Sequence, residues 1–284
     1  MKNLAGKTAF VTGGASGIGL GMTRAFLAEG MNVVVVDINE ASLAGVGAEF
    51  ETNPSVATVR ADVTDRVSMN RAATVAIERF GQIDVVCANA GIGGGGGAVA
   101  DPTFEGWDRV MAVNLDGVIN TVKATVPGIR ESAAGGHVVV TASVAGITAL
   151  PFEHGAYTAS KFAVRGLGES LRLSLAEEGI GVSVLCPGLT DTGILGGDSE
   201  ETVEFTPIDG AMSPLEVGYA VVRGIRENAP YIFTHAEFHA EFRMLFDELL
   251  EALPRDQAIP PDRAEFEAGR RELCDGLRHL PALD

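Results

Sequence analysis

Two side chains four residues apart can do acid–base chemistry. In Tyr157-Thr158-Ala159-Ser160-Lys161 a phenol and an ammonium fall on one face of a helix. A free phenol, with a pKa near ~10, exchanges protons poorly at neutral pH. A neighbouring ammonium, or a cationic ring bound beside it, favours the phenolate. The phenol then becomes a general acid–base for an alcohol/carbonyl pair. Taken alone, such a pair is more often a half-buried surface contact. Ser143 stands fourteen residues earlier, just behind a β-branched run. Its hydroxyl can hydrogen-bond a reacting oxygen, although a serine ending a strand is also an ordinary turn residue. Asn114 interrupts the helical run Val110–Thr121. Its amide competes for backbone hydrogen bonds, so propensity disfavours it there.

A second group of residues suits a dinucleotide. Thr12-Gly13-Gly14-Ala15-Ser16-Gly17-Ile18-Gly19 follows one apolar run and opens a helix. Glycines at 13, 17 and 19 let backbone approach a pyrophosphate, and the helix start adds N–H groups and a positive dipole end. The spacing G-x-x-x-G-x-G departs from the G-x-G-x-x-G fingerprint, so a plain glycine-rich turn stays open for this motif alone. Asp37 ends the next apolar run, 18 residues after Gly19. A carboxylate there accepts from both adenosine ribose hydroxyls and repels a 2′-phosphate. Asn39 is better placed than Asp37 to cap the following helix. No Arg or Lys lies in the glycine motif or directly after Asp37, so NAD is expected rather than NADP.

These residues must be held by an alternating chain. Thr8–Thr12, Asn32–Asp37, Val56–Arg60, Ile83–Ala88, His137–Ala142 and Gly181–Cys186 read as strands. They are β-branched and almost continuously apolar, as strands covered on both faces are. Helices are expected over about 17–29, 40–51, 65–80, 103–131 and 156–178. The alternation implies right-handed βαβ crossovers and one parallel sheet with helices on both sides. Ligands then bind beyond the carboxyl ends of the strands, where the residues above fall. His235–Asp284 reads as helical and amphipathic, interrupted by Pro254, Pro260 and Pro261. Gly93–Gly97 reads as a flexible loop, and Gly188–Ser213, without clear periodicity, as a lid or binding loop.

In this order and spacing the motifs resemble the short-chain dehydrogenase/reductase family, from about Lys7 to Phe233. The resemblance implies a Rossmann-like, doubly wound α/β domain over residues 1–234, with 235–284 as a helical C-terminal extension. Asn114, Ser143, Tyr157 and Lys161 match the catalytic tetrad, with Asn114 helping to hold a water that links Lys161 to solvent. Gly13, Ser16, Gly17, Ile18 and Gly19 match the cofactor glycine motif, Asp37 the ribose-binding acid, and Asp62-Val63 the pair beside the adenine. Asn89-Ala90-Gly91 matches the segment after the fourth strand, although Ala88 stands where a further Asn is common. Pro187-Gly188 and Thr192 match the segment holding the nicotinamide carboxamide, and Tyr157 and Lys161 also touch the cofactor. The implied reaction is hydride transfer between NAD and a secondary alcohol or ketone.

Substrate identity is weakly encoded. Val144, Ala145, Ile147, Leu150, Pro151 and Phe152 suggest an apolar pocket wall suited to aryl, steroid-like or alicyclic alcohols, with Glu153 and His154 as polar contacts or solvent-facing residues. The tail resembles C-terminally extended members acting on bulky alcohols, including Cα-dehydrogenases of lignin-type aryl ethers. A 3-oxoacyl reductase is the alternative within enzymes, but it goes with NADPH and a basic acyl-carrier surface. A non-catalytic NAD-binding protein would keep the glycines and Asp37 without needing the tetrad.

Composition bounds the partners. With 284 residues, 46% hydrophobic and 21% charged, the chain can bury a sizeable core. A net charge of −17, of which the tail's 12 acidic and 6 basic residues supply −6, repels nucleic acid and anionic lipid. Cys87, Cys186 and Cys274 form no C-x-x-C motif, so no metal ribbon or disulfide scaffold is expected. The N-terminus is too polar for a signal peptide, and no apolar run nears the roughly 18 residues of a spanning helix. A cytoplasmic enzyme is expected, and the family implies a homodimer or homotetramer.

Overall fold

In the computed structural model, residues 1–94, 104–131, 135–149, 155–196, 209–255 and 257–279 are described. Valine-rich runs become strands because β-branched side chains pack well on a pleated surface. β1 (Thr8–Thr12), β2 (Asn32–Asp37), β3 (Val56–Arg60), β4 (Val85–Ala88), β5 (Gly136–Thr141), β6 (Ile180–Cys186) and β7 (Tyr231–Phe233) form one sheet in the order β3-β2-β1-β4-β5-β6-β7. Every pairing is parallel. The strand order reverses between β1 and β4, which opens a crevice at their carboxyl ends.

The period-two alternation of strand side chains divides the core into two layers. Phe10, Val34, Val36, Val86, Val138 and Val140 face one side of the sheet, against α3 (Arg66–Phe80), α5 (Gly117–Glu131) and α6 (Gly155–Leu175). Ala9, Val11, Val33, Val35, Cys87 and Val139 face the other, against α1 (Gly17–Ala28), α2 (Glu40–Glu49) and α7 (Pro214–Glu227). α1 and α7 touch backbone to backbone: a Cβ on Gly21 would fall 1.9 Å from Pro214 O, and one on Gly218 would fall 2.4 Å from Gly21 O.

Three features differ from the sequence expectation. The helix expected over 103–131 is divided among the described residues into α4 (Glu105–Met111), a π turn (Ala112–Asp116) and α5. The π turn centres on Asn114, the residue that propensity disfavours. β7 is too short at three residues to show a period. α7 lies beyond the aperiodic stretch yet starts on a full capping box, Ser213 with Glu216, and Pro214 in its first turn. The tail is helical with the expected proline break, as α8 (His239–Glu251) and α9 (Pro261–Arg278), and neither helix has a buried residue. Leu150–His154, part of Gly93–Gly97 and much of the 188–213 segment lie outside the described residues.

Candidate active site

The loop between β1 and α1 is shaped by its glycines. Gly13 and Gly17 have φ of 61° and 46°, a region that side chains rarely adopt. A Cβ on Gly19 would lie 1.9 Å from Gly13 O, so only glycine lets the helix start fold against the loop. Ser16 occupies the N-cap position in extended conformation, and its hydroxyl makes no capping bond. The first-turn N–H groups, which have no partner within a helix, are not taken up by this side chain and can serve an anion. Asp37 follows the same loop around: its carboxylate accepts from Ala15 N (3.2 Å) and Asn39 N (3.0 Å). Asn39 caps α2 by accepting from Ser42 N at 2.9 Å, as its position predicted. These features fit a dinucleotide.

Across the crevice, Thr12 Oγ1 accepts from the N–H groups of Asn89 (3.0 Å) and Ala90 (3.2 Å) and donates to Cys87 O. The Asn89 amide donates to Thr12 O at 3.0 Å and accepts from Thr141 Oγ1 at 3.2 Å. One side-chain network thus ties the ends of β1, β4 and β5. Asp62 Oδ1 accepts from the Thr64 N–H and hydroxyl, both at 2.8 Å. Val63 is buried, and its carbonyl accepts from Asn120. Thr192 comes close to the glycine loop, since a Cβ on Gly17 would meet its methyl at 3.1 Å.

Ser143 follows β5 and caps a 3₁₀ turn, Val144–Gly146, by accepting from Ala145 N at 3.1 Å. Val144 N donates to Pro187 O at 3.0 Å, which ties this turn to the end of β6. Gly146 lets the turn press on α6, where a Cβ would fall 2.7 Å from Lys161 O. Tyr157 leaves the first turns of α6 toward Ser143 and hydrogen-bonds its side chain. Burial pushes the phenol above its ordinary value, and that hydrogen bond pulls it back only in part. Lys161, one turn on, is 3% exposed and donates to Thr141 O at 2.9 Å. Its Nζ lies 5.5 Å from the centre of the Tyr157 ring. Burial lowers this ammonium to about 8.

The Asn114 side chain is almost fully engaged. Its Oδ1 accepts from Ile92 N (2.8 Å), and Nδ2 donates to Ile92 O (3.0 Å) and Ser160 Oγ (3.1 Å). Ser160 Oγ in turn donates to Tyr157 O at 2.7 Å. The amide therefore fastens the Gly91–Ile92 backbone to the first turns of α6. A Cβ on Gly91 would sit 3.3 Å from Asn114 Oδ1 and 3.4 Å from Lys161 Nζ, so both atoms border the space that this glycine leaves.

A family model for short chain dehydrogenases matches residues 7–202. The chain belongs to this family. Among curated relatives, the 3beta-hydroxysteroid dehydrogenase 2 of Eggerthella lenta is 36% identical over 76% of this chain and 81% of its own. A solved short-chain dehydrogenase from Novosphingobium aromaticivorans superposes with a TM-score of 0.85 at 36% identity, covering 99% of both chains. A short-chain dehydrogenase/reductase from Burkholderia phymatum, solved in complex with NAD, gives 0.81 at 29% identity over 92% of this chain and all of its own. This dehydrogenase thus shares nearly its full length, tail included, with a solved relative.

Hydrogen-bonding roles that the sequence does not show complete the candidate site, one of them at Thr12, which heads the glycine motif. Thr12 and Thr141 hold the strand ends, Ser160 carries the Asn114 contact, and His235 bonds the Gly188–Leu189 backbone. Each works through an ordinary hydrogen bond to backbone or amide, which leaves no spacing signal. Val144, Ala145 and Ile147, expected in a pocket wall, are buried.

Proposed function

We propose that this dehydrogenase interconverts a secondary alcohol and its ketone with NAD. The observation that carries the proposal is the convergence of Ser143, Tyr157 and Lys161 at the carboxyl end of β5, beside a glycine loop that ends against Asp37. In the alcohol-oxidising direction, Ser143 holds the substrate oxygen and Tyr157 takes the hydroxyl proton. Bound NAD supplies the acceptor for the carbinol hydride. Lys161 favours the Tyr157 phenolate and grips the nicotinamide ribose. Asn114 fixes Ile92 and α6, and a water in the space beside Gly91 would reach both its Oδ1 and Lys161 Nζ, passing the proton outward. Gly13 and Ser16–Gly19 would hold the pyrophosphate, Asp37 the adenosine ribose and Asp62-Val63 the adenine. Asn89–Gly91, Pro187-Gly188 and Thr192 would hold the nicotinamide half.

The substrate is a bulky apolar alcohol, aryl or alicyclic. The hydroxysteroid relative supports this class, and so does the lack of a basic cluster in the sequence between Ser143 and Tyr157. Residues 1–234 act as the catalytic unit and 235–284 as an extension. The exposed Met244, Leu249, Leu250, Phe266 and Leu273 on α8 and α9 support a homo-oligomer, dimer or tetramer, that covers them. Cys87, Cys186 and Cys274 are unpaired, which supports a cytoplasmic, reducing setting. Among the described residues no helix is long and apolar enough to cross a membrane.

The test is NADH absorbance across a panel of aryl and alicyclic secondary alcohols. Tyr157→Phe should keep NAD affinity and lose about 100-fold or more in turnover. Full turnover in that variant, or none in wild type across the panel, would overturn the proposal.

A further inference from the structure

His235 stands at the junction between β7 and the tail, 47 residues beyond Gly188 in sequence, yet its ring closes on the turn after β6. Gly188 N–H donates to His235 Nδ1 at 3.1 Å, and Nε2 lies 2.9 Å from Leu189 O. Thr234 Oγ1 adds a third contact, 2.7 Å from Nδ1. This set is satisfied by a neutral imidazole with its proton on Nε2: Nδ1 accepts from Gly188 and Thr234, and Nε2 donates to Leu189. The ring also needs the room that Gly188 leaves, because a Cβ there would lie 2.7 Å from the imidazole.

The ring is held from behind by the tail. It meets Phe238 edge-on at 6.4 Å, Phe238 stacks on Phe242 at 5.8 Å, and Phe242 packs on Phe233 of β7 at 5.7 Å. The turn after β6 is also held by Met212, whose N–H donates to the same Leu189 O (3.0 Å) and whose carbonyl accepts from Asp191 N (3.0 Å). His235 and Met212 therefore meet at Leu189 O, and of the two His235 alone holds Gly188 N while Met212 alone holds Asp191 N.

We infer that His235 is a positioning residue for the nicotinamide half of the dinucleotide, delivered to the site by the tail. The inference rests on the reading of Pro187–Thr192 as the segment that holds the nicotinamide. His235 touches neither reacting atom; it fixes the backbone that would hold the nicotinamide. A clamp of this kind affects only ligands that reach the turn. ADP-ribose carries the adenine, both riboses and the pyrophosphate of NADH but no nicotinamide, so it reports the rest of the site alone.

The test measures dissociation constants of NADH and ADP-ribose on the full chain by fluorescence and calorimetry, for wild type, His235→Phe and His235→Asn. Wild type should bind NADH more tightly than ADP-ribose. His235→Phe keeps a ring but removes the acceptor and donor, and should weaken NADH by roughly 5- to 20-fold, the scale of one or two lost hydrogen bonds, while ADP-ribose stays within twofold. His235→Asn retains a short acceptor and should recover part of the loss. Should His235→Phe not fold, Gly188→Ala displaces the imidazole instead and must give the same selective loss. Equal weakening of both ligands, no weakening of either, or a wild-type preference for NADH near one overturns the inference. Wild type that binds neither ligand overturns the dinucleotide reading itself, and this inference with it.

Discussion

Lys161→Met removes one charge from a site that otherwise keeps its shape, because methionine fills the same slender volume. Lys161 Nζ stands 5.5 Å from the centre of the Tyr157 ring, in a position only 3% exposed. With the ring centre standing for the delocalised phenolate charge, two unit charges at about that separation attract by about 3 kcal/mol in an effective dielectric of about 20. That attraction is worth roughly a hundredfold in the phenolate population at a pH well below the phenol's own range. Turnover of Lys161→Met at saturating NAD should therefore fall about 100-fold at pH 7. The deficit has a definite pH dependence. Burial holds the wild-type ammonium at about 8, below its ordinary value, so its charge is complete below pH 8 and lost above it. The gap between wild type and variant should be widest below pH 8 and narrow as pH rises through it. The assay is the initial rate of NADH formation from pH 6 to pH 10, with NAD affinity measured separately to exclude a lost ribose grip. Turnover within threefold of wild type at pH 7, with NAD affinity intact, would refute the coupling.

Asp37→Ala should lower kcat/KM for NAD by about tenfold and raise the NADP/NAD ratio, since the carboxylate that repels a 2′-phosphate is removed; wild-type turnover with NADP equal to that with NAD would refute the assignment. Gly218→Ala drives a methyl to 2.4 Å from Gly21 O and should destabilise the fold by about 1–3 kcal/mol in urea with KM for NAD unchanged; no shift would mean that α1 and α7 part freely. His137 is fully buried, with Nε2 2.8 Å from Ser183 Oγ, and burial lowers its pKa to about 3. Its folded pKa lies below the ordinary ~6.5 of an unfolded chain, so the neutral form stabilises the fold above pH 6.5 and that stability drains away between pH 6.5 and 3. The loss is about 1.4 kcal/mol per pH unit, and His137→Gln should flatten the urea midpoint against pH by one proton; parallel slopes would refute it.

The sheet was legible because its strands are covered on both faces. Thr8–Thr12, Asn32–Asp37 and Val56–Arg60 match residue for residue, since a short run rich in β-branched residues with turn residues behind it has few alternatives. The glycine loop was legible for a similar reason: a positive φ at Gly13 and Gly17 and a forbidden Cβ at Gly19 restrict residue type strongly. Asn114 was visible as a misfit but not as a π turn, because its reward comes from Ile92 and Ser160, 22 residues behind it and 46 ahead. β7 was missed because three residues carry no period, and the clamp at His235 because one histidine after a short apolar run carries no signal of its own. Both depend on contacts across the sheet, which a linear pattern does not encode.

Burial explains why the phenol and the amine must come as a pair. The same desolvation raises Tyr157 and lowers Lys161, so each charged form alone is disfavoured at this depth. A lone buried phenol would stay protonated, and a lone buried amine would lose its charge above about pH 8. Side by side, the phenolate and the ammonium each offset part of the desolvation that the other suffers. The hydrogen bonds available to the pair divide the same way: Ser143 serves the phenol, and Thr141 O serves the ammonium. Burial has set the two proton affinities further apart than they are in water, the amine at about 8 and the phenol above its ordinary value, so the attraction within the charged pair is what keeps a phenolate within reach of a proton leaving an alcohol. Opening this site to solvent, rather than deleting either group, would return the two to their separate ordinary values and uncouple them. The turn at Gly146 that presses on Lys161 O is therefore part of the acid–base device, although it carries no titratable atom.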